Sequence, residues 1–304
     1  MENQMERLLE LIRIQYDFDQ AEFIDKGFSN ARKYILYQSG KAVYLLRVYD
    51  GESYLRRAEE YKYIQQHYNN GVICQKPIHH DYVPELGLCY ILLTYIEGES
   101  GEIVLPYLTV EQQTEQGYKS GQQLRKIHKI VPEIDLNWAE KRYVKYEQKK
   151  NKVRELGVNF HRQKEIERFI EAHFDLLKES MVCFQHDDFH PSNLIFQEHK
   201  IIGVIDFSRF DWGDPWEEFF KLPKYTCAIS THFAWGQVMG YFDGIIPEDF
   251  WMKYHLFVAL NQHATLIGGF QSQRVKETIH KISQTIESHD FIECGAPKWF
   301  VEVK

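Results

Sequence analysis

One run of side chains constrains this 304-residue sequence more than any other: Cys183-Phe-Gln-His-Asp-Asp-Phe-His-Pro-Ser-Asn193, followed by Gly203-Val-Ile-Asp-Phe-Ser208. Short apolar stretches at 182–184, 194–196 and 201–205 bracket its polar residues and read as strands, the last two forming a hairpin across 197–200. The chain must therefore present a loop of carboxylate and amide oxygens on a small sheet, with Asp206 at a strand end. Oxygen donors of this kind suit a hard cation such as Mg2+, and a carboxylate beside a hydroxyl can take its proton. The spacing H-x-D-x-x-x-x-N, then a strand-end aspartate, gives Asp188 the part of a base and Asn193 and Asp206 the part of metal ligands, as in phosphoryl-transfer sites. The hairpin between Asn193 and Asp206 would return the two ligands to one place.

Before this loop the first third reads as strands around one helix. Residues 41–48 alternate, with Val43, Leu45 and Arg47 on one face and Tyr44, Leu46 and Val48 on the other, so Arg47 projects from a strand. A partner strand is expected at 33–37 across Ser39 and Gly40. Leu55, Ala58, Tyr61 and Ile64 recur at helical spacing, on a helix that also carries Glu59 and Glu60. A further strand at 89–96 runs into Glu97-Gly-Glu-Ser-Gly101, the best boundary in the chain. Beyond it, 110–130 and 163–178 read as helices separated by a lysine-rich stretch at 145–152, and 216–287 is again helical. The division expected is 1–95 and 96–304, in an α+β architecture with a sheet-rich lobe and a larger, mainly helical one.

Lys and Arg total 36 against 44 Asp and Glu, a net −8, and no basic block is long enough to track a phosphate backbone. Nucleic acid is not an expected partner; a cationic small molecule is. Five scattered cysteines without a C-x-x-C pair argue against a disulfide framework and a structural zinc site. No stretch approaches a membrane span, and residues 1–15 lack a signal-peptide core, so a cytoplasmic setting is expected.

Over residues 185–215, including Gly213-Asp-Pro215, the chain resembles the aminoglycoside phosphotransferase family of the choline-kinase-like and protein-kinase-like superfamily. Weaker likeness extends over Gly27-Phe-Ser-Asn30, Leu45-Leu-Arg47, Glu60 and Leu92-Leu-Thr-Tyr-Ile-Glu-Gly98. The resemblance implies a two-lobed kinase-like fold using ATP, with GTP as the alternative, together with Mg2+. Ser29 and Asn30 would cover the phosphates, Arg47 would contact phosphate and pair with Glu60, and backbone at Thr94 to Ile96 would meet the base. His186 would be a buried loop residue. Asp214 reads as a helix cap. Two departures stand out: Asp187 replaces a common glycine, and its charge is expected to raise the Asp188 pKa; Arg47 stands where many kinases carry lysine.

The function expected is transfer of phosphate from ATP to a hydroxyl of a small molecule, most plausibly an aminoglycoside-type antibiotic. Glu218, Asp290 and Glu293 are the candidate carboxylates for such an acceptor. Macrolide, choline, homoserine and fructosamine-type acceptors are alternatives. The dipeptide His186-Asp187 also occurs in metal-dependent phosphohydrolases, and a non-catalytic pseudokinase is a third class, although Asp188, Asn193 and Asp206 are all present. The chain is expected to be a monomer or homodimer.

Overall fold

The computed structural model describes residues 2–25 and 31–303, so Ser29 and Asn30 lie outside the described residues. The chain divides into two compact units: Met1–Glu99 with Leu194–Glu198 and Ile202–Ser208, and Ser100–Asn193 with His199–Ile201 and Arg209–Lys304.

In the first unit, α1 (Glu2–Gln15) precedes β1 (Gln20–Ile24), β2 (Arg32–Gln38), β3 (Lys41–Asp50), α2 (Tyr54–Asn69), β4 (Pro77–Val83) and β5 (Leu88–Thr94). The strands form one antiparallel sheet in the order β1-β2-β3-β5-β4. Ser39 and Gly40 both take positive φ, 51° and 76°, which matches the twist that a two-residue hairpin demands. Alternation along β3 sorts its faces as the sequence suggests: Leu46 and Val48 join Leu36 and Leu92 in a core with Met5, Leu8 and Ile12 of α1. Those three apolar side chains recur at helical spacing, and their burial holds α1 on the sheet. Arg47 points to the opposite face, where α2 supplies Glu60.

The second unit is mainly helical. It contains α3 (Gly101–Val104), α4 (Val110–Ile127), α5 (Trp138–Glu155), α6 (Gln163–His173), α7 (Thr231–Tyr241), α8 (Phe250–Gln271), α9 (Val275–Glu287) and α10 (Lys298–Val301). Short strands punctuate the chain: β6 (Glu99–Ser100), β7 (Cys183–Gln185), the hairpin of β8 (Leu194–Gln197) and β9 (Lys200–Val204), and β10 (Asp211–Gly213). Helix α4 starts with a capping box, Thr109 with Gln112. It then packs backbone to backbone on α7, because a Cβ on Gly240 would lie 1.9 Å from the Tyr118 carbonyl oxygen and one on Gly121 2.1 Å from that of Gln237. Helix α8 is buried nearly all round and organises this unit's core.

Candidate active site

The loop singled out by the sequence leaves β7, which pairs antiparallel with β10 through Gln185 and Asp211, Phe184 and Trp212, and Cys183 and Gly213. His186 is buried, its backbone N–H donating to Glu218 Oε2 at 2.9 Å and its ring edge-on to Phe189. Asp187 has φ 55°, a left-handed conformation that glycine adopts without strain. Lys221 compensates, with Nζ 3.0 Å from Asp187 Oδ1 and a second bond to the Asp187 carbonyl.

Asp188 sits among hydrogen-bond donors. The Ser192 N–H donates to His190 Nδ1 at 3.3 Å, so Nε2 carries the ring proton and faces Asp188 Oδ1 at 3.4 Å. Arg209 Nη1 approaches the same oxygen at 3.4 Å. Asn193 Nδ2 donates to the Asp188 carbonyl at 2.9 Å and to Oδ2 at 3.3 Å, which leaves the Asn193 amide oxygen for another partner. Burial raises the Asp188 pKa, but His190, Arg209 and Lys221 outweigh it and bring the carboxyl down to about 2. That direction corrects the expectation from Asp187. Burial raises the Asp187 carboxyl itself, while Lys221 opposes the rise and stands against its charge.

In the first unit Arg47, 3% exposed, lies 2.7 Å from Glu60 through Nη1, and Arg57 pairs with the other Glu60 oxygen. Burial would discharge Arg47, but Glu60, Tyr49 and Asp206 hold its pKa above the ordinary value. Its Nη2 lies 3.9 Å from Asp206 Oδ1 and has no hydrogen bond, a buried donor aimed where an anion would be welcome. Asp206 takes φ 65° and accepts from Ser208 Oγ at 2.6 Å, while Phe207 beside it stacks on His67. Lys33 on β2, opposite Arg47 in the register, was not foreseen as part of this group; burial lowers its pKa, against the pull of Asp206. At the end of β5, Thr94 already uses its N–H toward the Lys76 carbonyl and its C=O toward Gln75 Nε2. No bond to another described residue engages the Ile96 N–H.

The candidate acceptor carboxylates fare differently. Glu218 is 4% exposed: burial is outweighed by His128 and Lys221, which bring its pKa to about 2, so it faces the interior and not an incoming molecule. Its neighbour Glu217 lines a cavity of about 330 Å3 instead, held by Arg142 at 2.7 Å. Asp290 accepts from the backbone N–H groups of Ile292 and Glu293, and with Glu293 it lines a separate cavity of about 360 Å3 that no residue of 185–193 lines. Asp214 caps the 3-10 helix Pro215–Lys221 through the Trp216 N–H at 2.8 Å and holds Lys253 at 2.9 Å. The contacts of His190, Arg209 and Lys221 with Asp187 and Asp188 were not anticipated. His190 and Arg209 had a sequence signal, two residues after Asp188 and three after Asp206, whereas Lys221 had none.

An antiparallel-sheet unit, a mainly helical remainder and the H-x-D-x-x-x-x-N loop define a protein-kinase-like fold of α+β class. The phosphotransferase enzyme family (APH) matches residues 20–249, and the chain belongs to it, as an enzyme of the small-molecule kinase class. Among solved structures, the gentamicin complex of APH(2″)-IIa is 19% identical, with 97% of both chains covered and a TM-score of 0.64. APH(2″)-Ib bound to ADP is 18% identical over 92% of this chain and 98% of its own, TM-score 0.65. The GDP complex of an aminoglycoside 2′-phosphotransferase IIIa variant is 14% identical over 95% and 99%, TM-score 0.67. A search of curated proteins gave no match.

Proposed function

We propose that this protein transfers the γ-phosphoryl group of ATP, with Mg2+, to a hydroxyl of a small molecule, with Asp188 as the base. The observation that carries this reading is the Asp188 environment: a carboxylate held ionised at neutral pH by His190, Arg209 and Lys221 and steadied by Asn193. Magnesium with the triphosphate would supply the activated phosphoryl group and screen its charge. Asp206 and the Asn193 amide oxygen have the hard-oxygen chemistry that holds such a cation. Arg47 Nη2, which makes no hydrogen bond, supports a role in phosphate contact, with Glu60 fixing the guanidinium. Asp188 would accept the acceptor's hydroxyl proton and align its oxygen, and the backbone at Ile96 remains the candidate for contact with the base. Ser29 and Asn30 complete this assignment as the residues over the phosphates.

Solved neighbours hold ADP, GDP, gentamicin, streptomycin and hygromycin B. They support a purine nucleotide donor and make an aminoglycoside-type acceptor the first to try, with antibiotic resistance as its consequence and Asp290 and Glu293 as candidate contacts. A cytoplasmic setting belongs to the same proposal; among the described residues no helix is long and apolar enough to cross a membrane. The test is ATP turnover against a panel of cationic, neutral and anionic alcohols. Asp188→Asn should cut turnover at least about 100-fold with ATP affinity retained. Asp206→Ala should remove Mg2+-dependent nucleotide binding; turnover near the unsubstituted level in either variant would refute the assignment.

A further inference from the structure

The lysine-rich stretch that the sequence leaves unexplained lies on α5, where Lys141, Lys145 and Lys149 recur every fourth residue and form one ridge. That ridge lines the cavity of about 330 Å3 whose far wall includes Trp212 and Asp187, the residue immediately before the catalytic Asp188. A volume of this order suits a small ligand.

The charges around the cavity are unevenly used. Arg142 is committed to Glu217 Oε1 through two bonds, 3.0 and 2.7 Å, and Asp187 is committed to Lys221. Lys145 meets Asp211 only at 3.5 Å in an exposed pair, a weak attachment. The ammonium groups of Lys141 and Lys149 make no hydrogen bond or ion pair with any described residue, although both side chains line the cavity. Lys149 is half-buried there, and burial, followed by the charges of Arg142 and Lys145, pushes its pKa down to about 8. Glu217 and Asp187 offset this only in part, because each is already bonded to another cation, Arg142 and Lys221, so the half-buried ammonium has no carboxylate of its own.

We infer that this cavity receives an anionic group, a phosphate or a carboxylate, carried by the same acceptor whose hydroxyl Asp188 serves, with Lys149 as its principal contact and Lys141 and Lys145 beside it. The inference rests on the kinase reading above for the identity of the ligand as an acceptor. Asp187 lines the cavity and Asp188 follows it directly in the chain, their Cα atoms about 3.8 Å apart, so the ligand would extend past Asp187 to bring its hydroxyl to Asp188. A hydroxy acid or a sugar phosphate has the required pair of groups, whereas the aminoglycoside-type acceptor that the solved neighbours suggest carries hydroxyls but no anion and would meet Lys149 with like charge, so the two acceptor classes are alternatives that binding separates.

Calorimetry without nucleotide tests the site directly, using glucose, glucose 6-phosphate, glucuronate and gentamicin as probes. Both anions should bind at least about tenfold more tightly than glucose, as a charge-assisted contact warrants, and their order separates phosphate from carboxylate. Lys149→Met should weaken both about tenfold, and Lys149→Arg should restore most of the loss. Equal binding of glucose and its anionic derivatives, tighter binding of gentamicin, or indifference to Lys149→Met would overturn the inference. Turnover distinguishes the two readings. Lys149-dependent anion binding with no phosphoryl transfer to any alcohol would overturn the kinase reading and the acceptor role while leaving an anion site; transfer without anion preference would overturn the anion site alone.

Discussion

Asp187 holds a backbone conformation that costs an L-residue about 1–2 kcal/mol, and its carboxylate gives the buried Lys221 a counter-charge. The two effects can be separated. Asp187→Gly removes the strain and the carboxylate together, whereas Asp187→Ala removes the carboxylate and keeps the strain. Lys221 retains the Asp187 carbonyl and Glu218 in both variants, so neither should unfold. The alanine variant is expected to be less stable than the glycine variant by about 1 kcal/mol, read from urea denaturation midpoints; equal midpoints would show that the loop relaxes. At this scale the types and spacing of the candidate residues are readable in the sequence, Asp188 and Asn193 in one short loop and Asp206 just past β9. The net direction of the Asp188 shift was not, since Arg209 and Lys221, which help to lower it, are distant in sequence and brought close only by folding.

Elements were legible where one face is buried and the other is not. The alternation of β3, the periodicity of α2 and the β8–β9 hairpin appear within a residue or two of their expected places. Strand β4 was missed because Pro77, His79, His80 and Asp81 look like a loop; it is an edge strand, where a proline and polar side chains are tolerated. The register of β2 on β3 hides Lys33 in the same way, since a bulge between Leu36 and Tyr37 shifts the pairing. The α4–α7 contact had a signal that went unused, glycines four apart at 117 and 121 and again at 236 and 240. Here the space is already filled by opposing backbone, which has little room to yield. Gly240→Ala is therefore expected to cost about 3 kcal/mol or more. Gly268→Ala on α8, where a Cβ would meet nothing within 4 Å, should be neutral or stabilising by about 0.5–1 kcal/mol. Thermal melts of the pair test the difference, and similar melting points would mean that the α4–α7 crossing can open.

Across the whole molecule the shifted groups set how stability responds to acid. His289 is buried, its Nδ1 donating to the Thr285 carbonyl at 2.6 Å and its Nε2 accepting from Tyr254 at 2.9 Å, so both nitrogens are used by the neutral ring. Burial, followed by His255 nearby, lowers its pKa to about 4, and burial lowers those of His255 and His263 as well. An unfolded imidazole titrates near about 6.5, so between that pH and about 4 the unfolded chain binds more protons than the folded one. The contribution of His289 is complete above the unfolded value and is lost as pH falls toward 4, on the order of 3 kcal/mol in full. Glu218 and Asp188, both held to about 2, add a second loss in the same direction at lower pH, from their unfolded values near about 4 downward. Asp187, raised by burial, acts in the opposite sense, its contribution present at low pH and lost as pH rises through its folded pKa. Urea denaturation of the protein and of His289→Asn between pH 7.5 and 5 isolates the first window. The variant should start less stable, since its packing and hydrogen bonds are poorer, yet lose less on acidification, with His255 and His263 supplying the remaining slope. An unchanged slope would show that His289 is not the group whose protonation drives the loss.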